Sequence, residues 1–224
     1  MKNIALLRAS HTDVSARNFQ REVPAQLRLI NMHNDTFKAN QFSPEIYDGI
    51  IISGSRASVL DEEDWIAEAK KAVTEAVEYH GTPTLGVCWG NQLLAHALGG
   101  RVERGEKREL GFREIQRKDN SHPIFFGIED YFTAFQSHGD YVTKTPQEAT
   151  LLAENDVAIQ AFSYKSSVGV QFHPEVDYRT AKDLAGNYQN EETVPSSPDT
   201  TVDSWALSEE STDILTNFIH RIVH

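Results

Sequence analysis

Short continuous apolar runs alternate with longer stretches of helical spacing along the first half of the chain. The runs at 3–7, 50–52 and 83–87 are typical of short strands that are buried on both faces. Residues 61–80 place apolar side chains three and four positions apart, begin with clustered acidic residues and end before Gly81. These features together predict a helix.

The remaining pattern predicts a second helix and a group of shorter strands. Residues 92–98 have helical spacing, and Gly99 and Gly100 follow, as glycines commonly do where a helix ends. From about 108 to 172, short apolar runs separated by turns predict strands, several of them antiparallel. These strands are expected at 131–135, 158–162 and 168–172. The order of strands and helices predicts an α/β fold with a mixed, mostly parallel central sheet flanked by helices.

The end of the chain divides into a polar stretch and a helix. Residues from about 186 to 210 are polar and acidic with little periodicity, which predicts an inserted loop with room for a short helical turn. Residues from about 211 to 223 carry apolar side chains at helical spacing and predict a closing helix. A chain of 224 residues with 39% hydrophobic content is expected to form a single domain over 1–224.

The only cysteine of the sequence, Cys88, lies between the strand predicted at 83–87 and the helix predicted after it. Gly86 and Gly90 flank it, and residues without a Cβ permit a sharp strand-to-helix turn that holds a thiol at the mouth of a pocket. A buried cysteine with no chemical role is the competing interpretation. A catalytic thiol also needs a base that takes its proton and a carboxylate that orients this base.

His173 and Glu175 supply the residue types that such a thiol requires. Pro174 between them favours an extended backbone, in which residues two apart project to the same side. The imidazole and the carboxylate are therefore expected on one face. With Cys88, they form a candidate group for nucleophilic catalysis.

The two segments resemble the signatures of class I glutamine amidotransferases, which are a Gly-x-Cys-x-Gly-x-Gln elbow and a His-Pro-Glu motif. Three further segments agree in the family's order. Residues 48–55 look like its oxyanion strand and turn, 101–111 are similar to a stretch of the GMP synthase amidotransferase domain, and 137–140 match a loop that holds the substrate glutamine. The resemblance covers about residues 1–180 and implies a flavodoxin-like, three-layer fold.

The resemblance implies a role for each residue of the group. Cys88 would attack the carboxamide carbon of glutamine and form a γ-glutamyl thioester. His173 would accept the thiol proton and return a proton to the departing ammonia, while Glu175 holds the imidazole. Water activated by the same histidine would then release glutamate.

The oxyanion hole is expected at the turn that begins with Gly54. By position, its donors would be the backbone amides of Ser55 and Trp89. The family usually has a glycine and then a proline where this chain has Ser55 and Arg56. If Ser55 does not reach the required conformation, the hole forms only after substrate binds.

Substrate contacts are also implied by the resemblance. Gln92 would contact the substrate from the first turn of its helix, and Ser137 and His138 would hold the α-amino and α-carboxyl groups through main-chain atoms. The competing interpretations are a residue that merely begins the helix and an ordinary turn.

The composition restricts the possible partners and cofactors. With 33 acidic and 21 basic residues, the net charge of −12 argues against binding to nucleic acid, which requires a basic surface. No run approaches the roughly 20 apolar residues that cross a membrane, and the first residues are too short an apolar run for a signal peptide. One cysteine forms no internal disulfide, and the histidines lack zinc-site spacing. A cytoplasmic enzyme without metal or cofactor is expected.

The destination of the ammonia is open. The sequence contains no Ser-Gly-Gly-x-Asp-Ser nucleotide-binding loop and no Walker motif. The preferred interpretation is a GMP synthase-like glutaminase that works with a separate ATP-dependent synthetase. A free-standing hydrolase of γ-glutamyl peptides or amides is the first alternative. A catalytically silent binding module is the second, and the intact Cys88, His173 and Glu175 disfavour it.

Overall fold

The computed structural model describes residues 1–10, 12–34, 36–119, 121–188 and 198–224. The strands in these ranges are Asn3–Arg8 (β1), Gln26–Asn31 (β2), Gly49–Ile52 (β3), Thr84–Val87 (β4), Arg101–Arg117 (β5), Tyr131–Lys144 (β6), Thr150–Glu154 (β7), Ile159–Tyr164 (β8) and Ser167–Val170 (β9). The α-helices are Asp13–Glu22 (α1), Asp64–Thr74 (α2), Trp89–Ala97 (α3), Tyr178–Gly186 (α4), Val202–Ser208 (α5) and Asp213–Asn217 (α6).

Short helical turns extend or connect these elements. Helices α2 and α6 continue as π-helical turns at Glu75–Tyr79 and Phe218–Ile222. Turns of 3-10 helix lie at Ala39–Gln41, Pro44–Ile46, Pro123–Phe125 and Glu209–Thr212.

The strands form one mixed sheet in the order β2-β1-β3-β4-β9-β8-β7-β5-β6. From β2 to β9 the neighbouring strands are parallel. From β9 to β6 they are antiparallel. The α/β fold predicted from the sequence is confirmed, including the antiparallel strands that extend a parallel sheet.

Apolar clusters cover both faces of the parallel part of the sheet. In β1, Ile4 and Leu6 pack into a cluster with side chains of α1 and α6. Ala5 and Leu7 alternate with them and pack into a second cluster with α2 and α3. Burial of each large aliphatic side chain contributes about 1.5–3 kcal/mol relative to exposure. The resulting arrangement is three-layered, with helices on either side of the sheet.

Strands β5 and β6 form a long hairpin at one end of the sheet. Among the described residues, β5 joins the rest of the sheet through a short ladder with β7, in which Gln116 pairs with Glu154 and Arg117 with Ala153. Helix α4 covers this hairpin in a third apolar cluster. The hairpin is therefore held to the sheet by little backbone pairing and by side-chain packing.

The start of α2 differs from the prediction for a local reason. The helix predicted over 61–80 begins at Asp64, because the carboxylate of Asp61 accepts a hydrogen bond from the Ser58 amide at 2.9 Å and closes a turn before the helix. The helix predicted over 92–98 begins earlier, at Trp89.

Three elements, α1, β2 and α4, have no counterpart in the sequence-based prediction. Helices α1 and α4 are mostly polar, with a few buried residues each. Strand β2 lies at the edge of the sheet, and most of its residues are exposed. The apolar pattern of such elements is too weak to identify them.

The predicted polar stretch at about 186–210 is described in part, because residues 189–197 lie outside the described residues. The described part contains α5, and the Asp199 carbonyl accepts a hydrogen bond at 2.8 Å from the Phe112 amide of β5. The helix predicted at about 211–223 corresponds to α6 and its π-helical continuation. In the described ranges, no helix combines the length and apolar character that crossing a membrane requires.

Two glycines let α3 approach the sheet closely. A Cβ on Gly86 would lie 2.4 Å from the carbonyl oxygen of Gly90. A Cβ on Gly90 would lie 2.5 Å from the carbonyl oxygen of Ile52 in β3. Both contacts involve backbone, so an added methyl group would force the helix and the strands apart.

We expect Gly86→Ala to lower the free energy of unfolding by about 1–3 kcal/mol, because overpacking at a backbone contact cannot be relieved by side-chain rotation. Urea unfolding measures this change. Gly186→Ala, in α4, is the matched control, because its added Cβ meets no described heavy atom within 4 Å. Equal stability losses in the two variants would contradict the close-approach argument.

Candidate active site

Cys88 lies at the turn between β4 and α3, at the carboxyl end of the central strand. Its backbone has φ 54° and ψ −104°, a conformation that non-glycine residues rarely adopt and that costs about 1–3 kcal/mol. The Cys88 amide donates to Val170 O of β9 at 2.8 Å, and the Cys88 carbonyl accepts from the Gln92 amide at 3.1 Å. The sharp turn predicted from the flanking glycines is therefore present, and hydrogen bonds on both sides hold it.

His173 follows the neighbouring parallel strand, β9. Because Val87 pairs with Val170, the segments after β4 and β9 leave the sheet at the same edge. The His173 amide donates to Phe135 O at 2.9 Å. Its Nδ1 lies 2.9 Å from Glu175 Oε1. The structure thus brings the predicted imidazole and carboxylate into contact beside the nucleophile turn.

The backbone around this pair differs from the expected extended conformation. Pro174 and Glu175 lie in a turn, which the Val176 amide closes on His173 O at 3.4 Å. The turn folds the carboxylate back onto the ring. The predicted pairing is reached by a different backbone path.

Burial and charge act in opposite directions on His173. Its burial alone would lower the pKa of the imidazole, but the negative charges of Glu175 and Cys88 outweigh this effect and raise the pKa well above 6.5. Within the part of the chain that the structure describes, His173 Nε2 and Glu175 Oε2 have no hydrogen-bond partner. The arrangement therefore favours an imidazolium that has one ring nitrogen held by Glu175.

Gly54 lies beside two of the three members of the candidate group, Cys88 and His173. A Cβ on Gly54 would be 3.1 Å from His173 Cε1 and 3.6 Å from Cys88 Cβ. Ser55 follows Gly54 directly, and its hydroxyl accepts a hydrogen bond from the Ala57 amide at 3.2 Å. The expected oxyanion turn thus passes over the nucleophile and the base.

Trp89 is the first residue of α3, and amides in the first turn of a helix have no intrahelical acceptor. Its indole is fully buried and stacks on Trp65 with ring centroids 5.2 Å apart. This packing fixes the start of the helix. The Trp89 amide is consequently suited to the predicted role of an oxyanion donor.

Ser137 and His138 lie in strand β6, not in the loop that the resemblance implies. His138 pairs with Glu109 of β5 in the ladder. The reason is the length of the hairpin, whose strands continue past the site. The Ser137 carbonyl is 3.9 Å from the Cys88 sulfur, which brings this main-chain segment to the nucleophile.

The Gln92 side chain is buried and engaged with protein atoms. Its Nε2 donates to Asp140 O at 2.9 Å and lies 3.4 Å from Gln171 Oε1. Asn91 Nδ2 donates to the same Gln171 oxygen at 3.0 Å. Gln92 therefore ties α3 to the strand of Ser137 and to the segment before His173, in addition to its predicted contact with substrate.

Several residues near the site have no counterpart in the sequence-based prediction. Gln136, Gln160 and Gln171 are fully buried. Gln160 and Gln171 stand inside runs that predict strands, and Gln136 directly follows such a run. Polar amides within apolar runs are the signal that could have marked them, because buried polar groups require partners. Their partners, however, depend on contacts between distant strands.

A stack of two arginines and a tyrosine is a second feature that the sequence does not predict. The guanidinium carbons of Arg108 and Arg56 lie 4.3 and 5.5 Å from the centroid of the Tyr188 ring. Arg56 lies in the turn that begins with Gly54, and Arg108 lies near Gly139 of strand β6. The stack links these two parts of the site.

Comparison with known proteins gives concordant results. A family model described as glutamine amidotransferase class-I matches residues 13–185. A glutamine-hydrolyzing GMP synthase of Fusobacterium nucleatum is 33% identical over 160 residues, which are 70% of this chain and 30% of that protein. The chain thus spans about 30% of the length of this relative.

Two solved structures share the fold. A glutamine amidotransferase of Thermotoga maritima has a TM-score of 0.77 at 23% identity, with 100% of this chain and 98% of the other covered. A candidate GMP synthase subunit of Thermoplasma acidophilum has a TM-score of 0.70 at 20% identity, with 98% and 92% covered.

We expect Glu175→Gln to slow alkylation of Cys88 by iodoacetamide about tenfold or more near pH 7. Without the carboxylate charge, the pKa of His173 falls, and the imidazolium that stabilises a thiolate is lost at lower pH. The rates should converge at high pH, where thiols ionise without help. Because Cys88 is the only cysteine, rates of thiol labelling report this residue alone. Glu114→Gln, an exposed site on β5, is the control, and equal alkylation rates for both variants near pH 7 would contradict the coupling.

Proposed function

The chain belongs to the class I glutamine amidotransferase family, and on that basis we propose that it hydrolyses the side-chain amide of glutamine through a thioester on Cys88. The observation that carries the proposal is the convergence at Gly54. Cys88, in a sharp turn, and the buried His173, paired with Glu175, both lie within 4 Å of the position that a Cβ on Gly54 would take. A nucleophile, a base and an orienting carboxylate are the parts that amide hydrolysis needs.

The first half of the reaction is acylation. The thiol proton of Cys88 passes to His173 Nε2, and Sγ then attacks the amide carbon as a thiolate. The carbon–nitrogen bond then breaks, and the imidazolium returns the proton to the leaving nitrogen, which departs as ammonia. Glu175 holds Nδ1 and stabilises the charged ring throughout.

The second half is hydrolysis of the thioester. His173 takes a proton from water, and the resulting hydroxide attacks the thioester carbon. The carbon–sulfur bond breaks, and the sulfur recovers a proton from the ring as glutamate leaves. In both halves, the amides of Ser55 and Trp89 would donate to the tetrahedral oxyanion.

We further propose that the ammonia serves a separate ATP-dependent synthetase. This is supported by the similarity to a glutamine-hydrolyzing GMP synthase and to a candidate GMP synthase subunit. We also propose that residues 1–224 form one amidotransferase domain.

A cytoplasmic location is proposed as well. The single cysteine supports it, because such a composition suits a reducing compartment.

We expect the purified chain to release ammonia from glutamine and Cys88→Ala to lower kcat by at least about a thousandfold, because no nucleophile remains. Ammonia release is measured with glutamine and with a set of γ-glutamyl amides and peptides. The unfolding curve of the variant provides the control for folding. Robust turnover of a γ-glutamyl peptide in preference to glutamine would support the free-standing hydrolase instead. Turnover that does not depend on Cys88 would contradict the catalytic assignment.

We expect glutamine hydrolysis to be slow for the chain alone and to increase when the synthetase subunit of a GMP synthase and its substrates are added, because a partner interface commonly completes such a site. The stimulation is measured as the ratio of kcat with and without the subunit. Cys88→Ala with the same subunit gives the background rate. Full activity alone, unchanged by the subunit, would contradict the proposed partner.

A further inference from the structure

A second histidine–carboxylate pair, separate from His173 and Glu175, joins β6 to β5. His138 Nε2 is 3.1 Å from Glu109 Oε2, and both side chains are at most 4% exposed. Neither residue of this pair touches the reacting atoms in the proposed mechanism. A buried charge without a chemical role requires an explanation, because its desolvation is costly.

The surroundings of Glu109 stabilise its charged form. Asn155 Nδ2 donates to Oε1 at 2.8 Å, and Gln160 Nε2 donates to Oε2 at 3.2 Å. Burial raises the pKa of Glu109, but the hydrogen bonds from His138 and Asn155 and the charge of His138 outweigh it and lower the pKa. Glu109 is therefore a buried carboxylate with three donors converging on it.

Both ring nitrogens of His138 face oxygen atoms. Nε2 meets Glu109 and also lies 3.1 Å from Gln136 Oε1. Nδ1 lies 3.2 Å from the Asp140 carbonyl. An imidazolium is the form that donates from both nitrogens, and the Glu109 carboxylate balances its charge.

Through His138, Glu109 is connected to the main chain that faces the nucleophile. The Asp140 carbonyl that receives His138 Nδ1 also receives Gln92 Nε2. At the other end of the same segment, the Ser137 carbonyl faces the Cys88 sulfur. The pair thus holds the segment from Ser137 to Asp140 through the hydrogen bond of the His138 ring to the Asp140 carbonyl.

The strand ladder does not fix this segment by itself. Arg104 pairs with Asp140 and Glu109 pairs with His138, so that residues 105–108 on β5 stand opposite Gly139 alone. This register shift interrupts the regular ladder. Side-chain hydrogen bonds must hold the backbone where ladder hydrogen bonds are missing.

We propose that Glu109 is a positioning residue for the substrate. Its carboxylate fixes the His138 ring, and the ring fixes the main-chain atoms of Ser137 to Asp140 that hold the α-amino and α-carboxyl groups of glutamine. The inference rests on the proposed function and deepens it. Glu109 acts on substrate affinity and leaves the chemistry at Cys88 unchanged.

Glu109→Gln tests the inference, because it keeps the shape of the side chain and removes its charge. KM for glutamine should rise about tenfold, the effect of losing a hydrogen bond to a charged group, while kcat stays within about twofold. Labelling of Cys88 by a glutamine-like diazoketone should slow in parallel with the KM change. Alkylation by iodoacetamide, which has no amino acid groups, should proceed at the wild-type rate. Glu114→Gln is the control for the same charge change on the same strand.

Two further variants separate positioning from folding. Asn155→Ala removes one donor to Glu109 and should raise KM in the same direction by a smaller factor, which tests the inference if Glu109→Gln does not fold. In a His138→Asn background, Glu109→Gln should raise KM little further, because the carboxylate acts through the ring. If the effects of the two substitutions on KM were additive, this would contradict the inference that Glu109 acts through His138.

Other outcomes also overturn the inference. A fall in kcat with KM unchanged, or equal slowing of both labelling reactions, would indicate a general disturbance of the site. An unchanged KM in an active Glu109→Gln variant would contradict the positioning role of Glu109 but not the proposed function. A wild-type chain that neither hydrolyses glutamine nor reacts with the diazoketone would contradict the proposed function, and the inference with it.

Discussion

The parallel pairing of β4 with β9 is the contact on which the rest of the site depends. These strands are distant in the sequence, and their register sets Val87 opposite Val170. The Cys88 amide extends this pairing by one more hydrogen bond, to Val170 O. Because the carboxyl ends of the two strands meet, the nucleophile turn and the segment with the base leave the sheet side by side. A shift of one residue in this register would separate the thiol from the imidazole.

Buried polar side chains connect the elements that meet at this edge. Asn91 and Gln92 of α3 bond to Gln171, next to the catalytic segment, and Gln92 also bonds to the strand of Ser137. Asp140 in turn accepts a hydrogen bond from Ser58, which follows the oxyanion turn. Each of these groups would cost free energy if buried alone, so the network is stable only when all elements are in place. The polar residues thereby favour one arrangement of an otherwise apolar core.

The sequence identifies those parts of the candidate site whose residues lie close together along the chain. Glycines on either side of Cys88 predict the turn, and the spacing of His173 and Glu175 predicts that they lie on one face, although the backbone between them forms a turn. The buried parallel strands β1, β3 and β4 are predicted equally well, because burial on both faces produces continuous apolar runs. The fold class followed from the order of these elements.

Contacts between segments that are distant in the sequence are not predicted. Glu109 and His138 belong to one network only because β5 and β6 pair with a register shift, and nothing in either segment alone indicates this. Tyr188 reaches the site from a stretch that looks like a polar loop. The edge strand β2 is missed for a related reason, since its exposed positions leave little apolar pattern.

The candidate site is spread over two parts of the sheet. The thiol, the imidazole and its carboxylate follow the central strands β4 and β9, whereas Ser137 and His138 belong to the hairpin that the short ladder between β5 and β7 joins to the rest of the sheet. Because the His173 amide bonds to Phe135 O of this hairpin, a displacement of the whole hairpin would reach the imidazole as well as Ser137. Under the proposed function, a neighbouring protein that moved the whole hairpin would therefore change the binding of glutamine and the cleavage of its amide together.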